Sequence, residues 1–221
     1  TMSNRSEYDA QLENLTRSVQ EMGNLVVKAV DDAVTALENK DTKRAEEIVK
    51  GDETVDREER AIEHTCLTLL LRQQPVASDL RQVSAALKMV TDLERIGDHA
   101  ADIAEIIPRL SGDGIRIEPD IPAMTRSALE MAKLAIQAFG PRDTELADRL
   151  IAMDDEVDGA FDSVKRKLAK DMAGGKPEQE DAAIDQLMIA KYAERIGDHA
   201  VNLAQWVKFC ATGRYLNERI M

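Results

Sequence analysis

The chain has 221 residues, 43% of them hydrophobic but only 3% aromatic, and its formal net charge is −13. That apolar content can bury a core, and with so few aromatic rings the packing falls to Leu, Ile, Val, Ala and Met, which favours helix on helix over a β-sandwich. The acidity argues against nucleic acid, whose binding leaves a basic footprint, and points instead to cations or basic protein surfaces.

Apolar positions follow a helical period along almost the whole chain. The first helix carries Leu15, Val19, Met22, Val26, Ala29, Ala33 and Leu37, and Asp41 or Thr42 caps the second, with Ala45, Ile48, Val55, Ile62, Cys66 and Leu69 on its inner face. Pro75 opens a third helix that runs through Leu80, Leu87, Val90, Leu93, Ala100, Ile103 and Ile107. Residues 111–117, with Gly112 and Gly114, read as a linker between residues 1–110 and 118–221. Three more helices follow, over 120–139, 143–173 and 178–211, with Gly174, Gly175 and Pro177 marking the last turn. All six prolines fall between these segments or at their edges, where a missing N–H is tolerated.

The N-terminal stretch Thr1–Asn14 is polar, and the strongest apolar run, Cys66–Leu71, is far shorter than the roughly 20 residues a membrane span needs. Cys66 and Cys210 sit among apolar residues without a CxxC pattern and read as buried free thiols in a reducing compartment. The expected location is therefore cytoplasmic, without insertion into a membrane.

The second three helices copy the first. Residues 94–100 (Glu-Arg-Ile-Gly-Asp-His-Ala) recur at 194–200, seven identities in a row displaced by 100. Upstream the displacement becomes 102, pairing Met22 with Met124, Asp52 with Asp154, Val55 with Val157 and Asp56 with Asp158. The expected fold is all-α: tandem duplicated three-helix bundles, six long antiparallel helices in total.

Duplicated positions carry an acid followed one helical turn later by aspartate: Asp52/Asp56, Glu94/Asp98, Asp154/Asp158 and Glu194/Asp198. Residues at i and i+4 share a face, so both carboxylates can point at one hard cation such as Mg²⁺, Mn²⁺, Ca²⁺ or iron. The same spacing also occurs at Asp98/Asp102, Asp158/Asp162 and Asp181/Asp185, and a charge run is more often a solvated face than a metal site. At about 100° per residue, Asp52 and Asp154 lie near the bundle seam while Glu94 and Asp98 point outward, so any cation site is expected at the surface. Gly97 and Gly197 stand in mid-helix at a cost of about 1 kcal/mol each, either because another helix or partner approaches closely or as an inherited imperfection. His99 and His199 read as capping or surface hydrogen-bonding residues and His64 as a structural or surface residue.

The duplicated Glu-Arg-Ile-Gly-Asp-His-Ala strip, together with the stretch 74–81 (Gln-Pro-Val-Ala-Ser-Asp-Leu-Arg), resembles the PhoU family over essentially the whole chain. The second half departs from that pattern, since Lys176, Pro177 and Glu178 stand where the first half has Gln-Pro-Val. The resemblance implies a non-enzymatic regulator that links a phosphate ABC transporter, through its ATPase subunit, to a membrane-bound sensor histidine kinase. Such a regulator holds down both phosphate-starvation signalling and phosphate uptake. It implies metal ions (Mg, Mn, Fe or Zn) on the bundle surface at Asp52, Asp56, Glu94, Asp98, Asp154, Asp158, Glu194 and Asp198, and a homodimer is the expected assembly. Asp102 becomes Asn202 in the second half, so the two sites need not be equal. Two other readings are a ferritin-like di-metal enzyme and a purely structural helical scaffold. The enzyme lacks its Glu-x-x-His pairs, because none of the three histidines has Glu three residues before it.

Overall fold

A computed structural model describes residues 2–72, 75–173 and 177–219. Among them are the long helices α1 (Met2–Asn39), α2 (Thr42–Arg72), α3 (Ala77–Leu110), α4 (Asp120–Phe139) and α7 (Pro177–Thr212). Two shorter ones, α5 (Thr144–Ala152) and α6 (Asp154–Met172), lie between α4 and α7. A two-residue ribbon, β1 (Arg214–Tyr215) against β2 (Glu218–Arg219), follows α7. The all-α duplicated bundle expected from the sequence is the observed fold. Gln74, Gly174, Gly175 and Lys176, singled out above as turn or motif residues, lie outside the described residues.

Two details differ from the sequence expectation. The third helix starts at Ala77 rather than Pro75, with Val76 extended before it. The fifth predicted helix is divided at Met153, whose amide bonds the carbonyl of Leu150 three residues back at 3.0 Å. Asp154, Asp155 and Glu156 follow at once, and three acids favour the positive end of a new helix.

The turns that begin α2 and α5 are copies of each other. Lys40 (φ 52°) and Arg142 (φ 57°) both hold the left-handed conformation, and Asp41 and Asp143 each donate a 2.9 Å backbone bond back to Ala36 and Ala138. This closes the preceding helix in a Schellman-type cap without glycine. The Asp41 side chain then accepts from the Arg44 amide (3.0 Å) and Asp143 from the Leu146 amide (2.9 Å), so Asp41, not Thr42, caps the second helix.

Helices α1, α3, α4 and α7 pack together at the centre, α2 lies against α1 and α3, and α5 and α6 lie against α4 and α7. One continuous hydrophobic cluster runs through both repeats, from Leu15, Met22 and Leu37 to Ile103, Met131, Leu203 and Phe209. Polar ties reinforce the crossings. Arg109 makes a two-pronged pair with Asp185 (2.9 and 2.8 Å), and Arg126 reaches Glu38 (3.0 and 2.6 Å). In the stretch following Pro75, the buried Asp79 accepts from Arg5 (2.7 Å), and Gln82 donates to the Thr16 hydroxyl (2.8 Å) and the Leu12 carbonyl (3.2 Å). That stretch therefore fastens α3 to α1.

The α1–α4 crossing is closest at Gly23. A Cβ there would lie 2.7 Å from Cγ1 of Ile136, a buried β-branched side chain, whereas a Cβ on Gly159 of α6 would meet nothing within 4 Å. Gly23→Ala is expected to cost about 1–3 kcal/mol through overpacking. Gly159→Ala is expected to add about 0.5–1 kcal/mol through helix propensity. Urea denaturation midpoints of the two variants should move in opposite directions.

Candidate metal centre

Helices α2 and α3 bring acids from two separate parts of the sequence to one seam. Asp52 and Asp56 of α2 and Asp98 of α3 each offer a carboxylate oxygen within 4.8 Å of the others. The second repeat does the same with Asp154, Asp158 and Asp198. Six of the eight acids singled out in the sequence thus form two equivalent triads. Glu94 and Glu194 stand outside the triads but adjoin them: Glu94 feels the charge of Asp98 and Asp56, and Glu194 raises the pKa of Asp158 and Asp198.

In the first repeat the glycine of the duplicated strip eases the close approach at this seam. A Cβ on Gly97 would lie 3.2 Å from Val55 Cγ1 and 3.7 Å from Asp52 Oδ1; on Gly197 it would lie 3.5 Å from Val157 Cγ1 and 3.6 Å from Asp154 Oδ1. Close approach of the outer helix, one of the two readings of these glycines, therefore applies at Gly97, while at Gly197 a Cβ would meet only ordinary van der Waals contacts. The outward orientation expected for Glu94 and Asp98 is corrected: their side chains are only 19% and 29% exposed. Helix α3 packs on α1, α2 and α7 at once, so it has no single apolar stripe from which an angle can be measured.

Burial and crowding act together on the carboxylates. Desolvation first, then the charges of Asp98 and Glu59, push Glu94 up to about 7, and desolvation followed by Asp98 and Asp56 pushes Asp52 up to about 6. Asp154 rises to about 6 by burial and by the charges of Asp158 and Asp198; Asp158 and Asp198 are also raised. Counter-charges relieve part of this. Arg95 pairs with Asp98 (3.1 Å) and Glu94 (3.6 Å), and Lys191 pairs with Glu194.

The sequence reading missed Glu59, whose carboxyl is raised by burial and by Glu63 and Asp56 and which in turn raises Glu94. The signal was present, since residues 52, 56 and 59 follow the i, i+4, i+7 spacing of one helix face.

His99 and His199, expected at the surface, instead lie between α3 and α7, and His99 is buried. Their ring centres are 5.6 Å apart. His99 bonds Asp102 (3.2 Å), accepts from Arg195 Nε (3.2 Å) and stacks on Tyr192 (5.5 Å). His199 bonds Asp92 at 2.9 Å, and Asn202 donates to the same oxygen at 3.1 Å. Desolvation is the main cause that lowers the His99 pKa. The two histidines are fixtures of the repeat interface, and neither belongs to a carboxylate triad. His64 is exposed, as expected.

The donor set suits a hard divalent cation: three carboxylates per triad from two helices, whose like-charge repulsion the neighbouring cations relieve only in part. Asp154 Oδ1 is buried and has no hydrogen-bond partner among the described residues, which is an oxygen in want of a positive charge.

Together the fold and the two triads define a class: a tandem helical bundle in which each half sets a cluster of acids in the groove between its outer and inner helices. The PhoU domain model matches residues 19–107 and 121–207, and the chain belongs to the PhoU family. It is 34% identical over 215 residues to a phosphate-specific transport system accessory protein PhoU homolog of Clostridium acetobutylicum, covering 96% of this chain and 98% of that one. The corresponding protein of Serratia marcescens is 30% identical over 214 residues, covering 94% and 86%. The crystal structure of PhoU from Pseudomonas aeruginosa superposes with a TM-score of 0.89 at 33% identity, covering 94% of this chain and all of that one. PhoU from Streptococcus pneumoniae gives 0.88 at 27% identity, covering 96% and 100%.

The raised carboxyls set a pH dependence. Glu94 releases its proton near 4.3 when unfolded but near 7 when folded, so between those values the native state holds more protons and stability falls as pH rises. Asp52 and Asp154 act in the same sense between about 3.9 and about 6. In chelator-treated protein the thermal midpoint should therefore rise from about pH 8 to about pH 6, and Glu94→Gln should flatten that rise. A midpoint that falls over the same range would contradict the assignment.

Proposed function

We propose that this chain is a non-catalytic adaptor that ties phosphate uptake to phosphate signalling and restrains both. The observation that carries this reading is the near full-length likeness to proteins named as phosphate-specific transport system accessory proteins, joined to a site made of carboxylates alone. The partners are the ATPase subunit of a phosphate ABC transporter and a sensor histidine kinase, engaged through basic surfaces that complement the net charge of −13. No helix among the described residues is long and apolar enough to cross a membrane, so contact with the inner face of the membrane would run through those partners. Leu67, Leu71 and Val76 leave apolar surface exposed around the α2–α3 turn, which supports self-association as a homodimer.

Asp52, Asp56 and Asp98 would hold one divalent cation, and Asp154, Asp158 and Asp198 a second, with Glu94 and Glu194 as flanking acids. Oxygen donors favour Mg, Mn or ferrous iron over Zn, which usually recruits histidine or cysteine. A bound cation would supply charge neutralisation: it offsets the repulsion within each triad and fixes the outer helix against the inner one. The chain's own part is to hold the carboxylates in register, with Gly97 easing the approach in the first repeat and Arg95 and Lys191 limiting the charge that remains.

Elemental analysis of gently purified protein is expected to find a divalent metal that drops to background in the Asp52→Ala/Asp98→Ala/Asp154→Ala/Asp198→Ala variant. A metal content equal in both proteins would remove the triads from consideration. In cells, Asp98→Lys is expected to raise expression from a phosphate-starvation promoter under phosphate-replete conditions. Unchanged expression would favour the scaffold reading.

A further inference from the structure

The two repeats differ in the groove beside the triads. In the first repeat a cavity of about 360 Å³ opens between α1 and α2, walled by Leu25, Ala29, Ile48 and Val55 and reaching Gly97 and Asp52 at its inner end. In the second repeat Met131 occupies the inner end of the equivalent space, beside Gly197. With the displacement of 102, Ala29 corresponds to Met131 and Gly51 to Met153. Met131 is fully buried with its sulfur 3.7 Å from where a Gly197 Cβ would stand, and Met153 packs partly buried on the core. The first repeat carries neither side chain, and Leu25, which also lines the cavity, is 41% exposed.

The second repeat therefore displays what fits such a space: a long, unbranched, apolar side chain beside a carboxylate triad. The charges around the first-repeat cavity refine the occupant. Lys28 is tied to Asp32, Arg44 and Glu47 add one charge of each sign, and the inner end is Asp52, backed by Asp56 and Asp98. The balance beyond the apolar walls is negative.

We propose that this cavity receives an anchor from a partner protein: a methionine side chain on a segment that places a lysine or arginine one helical turn away, over the Asp52/Asp56/Asp98 triad. The inference rests on the adaptor reading and gives it one site, in the first repeat alone. Apolar burial supplies the grip and the triad supplies the charge match, as in helix-in-groove recognition. Because the basic residue and a divalent cation seek the same oxygens, occupancy by one opposes the other.

The test uses the full chain and a capped alanine-based helical peptide carrying one methionine and, one turn later, one arginine. Titration followed by amide chemical shifts is expected to move Gly51 and Gly97. Ala29→Met/Gly51→Met, which fills the first cavity as the second repeat fills its own, is expected to weaken peptide binding at least about tenfold, as is exchanging the peptide's methionine for alanine. Gly51→Met alone serves as a milder variant, since a Cβ on Gly51 meets nothing within 4 Å, and circular dichroism checks that both fold. Equal binding by wild type and filled variant, or no binding to wild type, overturns the proposal. Manganese titration of the same samples keeps the readings apart: its failure would count against the cation sites, while the peptide result still decides the cavity.

Discussion

The contact between α3 and α7 is the constraint from which the rest of the molecule follows. Each of these helices must pack against its own outer helix, against α1 or α4, and against its duplicate, and the strip Glu-Arg-Ile-Gly-Asp-His-Ala divides that labour residue by residue. Isoleucine and alanine enter the core, histidine enters the repeat interface, and glycine lets the outer helix close in. The two acids are then carried into a seam from which they cannot turn away. The raised pKa values of Glu94 and of Asp52 on the facing helix are a consequence of that packing, since burial is the first cause of both shifts.

Much of this was legible before any coordinates. Periodicity placed the long helices, prolines and glycines marked their ends, and the seven-residue identity exposed the duplication. The acids were also identifiable, because spacing by one turn fixes which side chains share a face. What could not be read was which face of α3 looks outward. A helix surrounded on three sides carries apolar residues nearly all round, and an angle taken from one stripe then misplaces its neighbours, as happened with Glu94 and Asp98. The break at Met153 was hidden for a different reason: it comes from hydrogen bonding at a single residue, while the apolar period runs through it undisturbed.

Duplication has preserved some features and released others. The left-handed Lys40 and Arg142, the Asp41 and Asp143 caps, and both triads are the same device used twice. Away from these the halves diverge. Arg95 stays with its own triad, whereas its duplicate Arg195 crosses to His99. Ala29 and Gly51 open a groove that Met131 and Met153 close. A fold whose core is continuous tolerates such differences at its outer seams because the helices that meet at the centre do not change.

The pairing of His99 with His199 carries a further consequence. The residues flanking them exchange places across the interface, Tyr192 lying against His99 and its counterpart Asp92 against His199. This is the reciprocity of a symmetric dimer, carried here within one polypeptide. In such a dimer every residue near the axis is present twice, and no mutation there can be made on one side only. Within one polypeptide that rule is lifted: Asp92 on one side and Tyr192 on the other vary separately, and a two-fold arrangement has a left and a right.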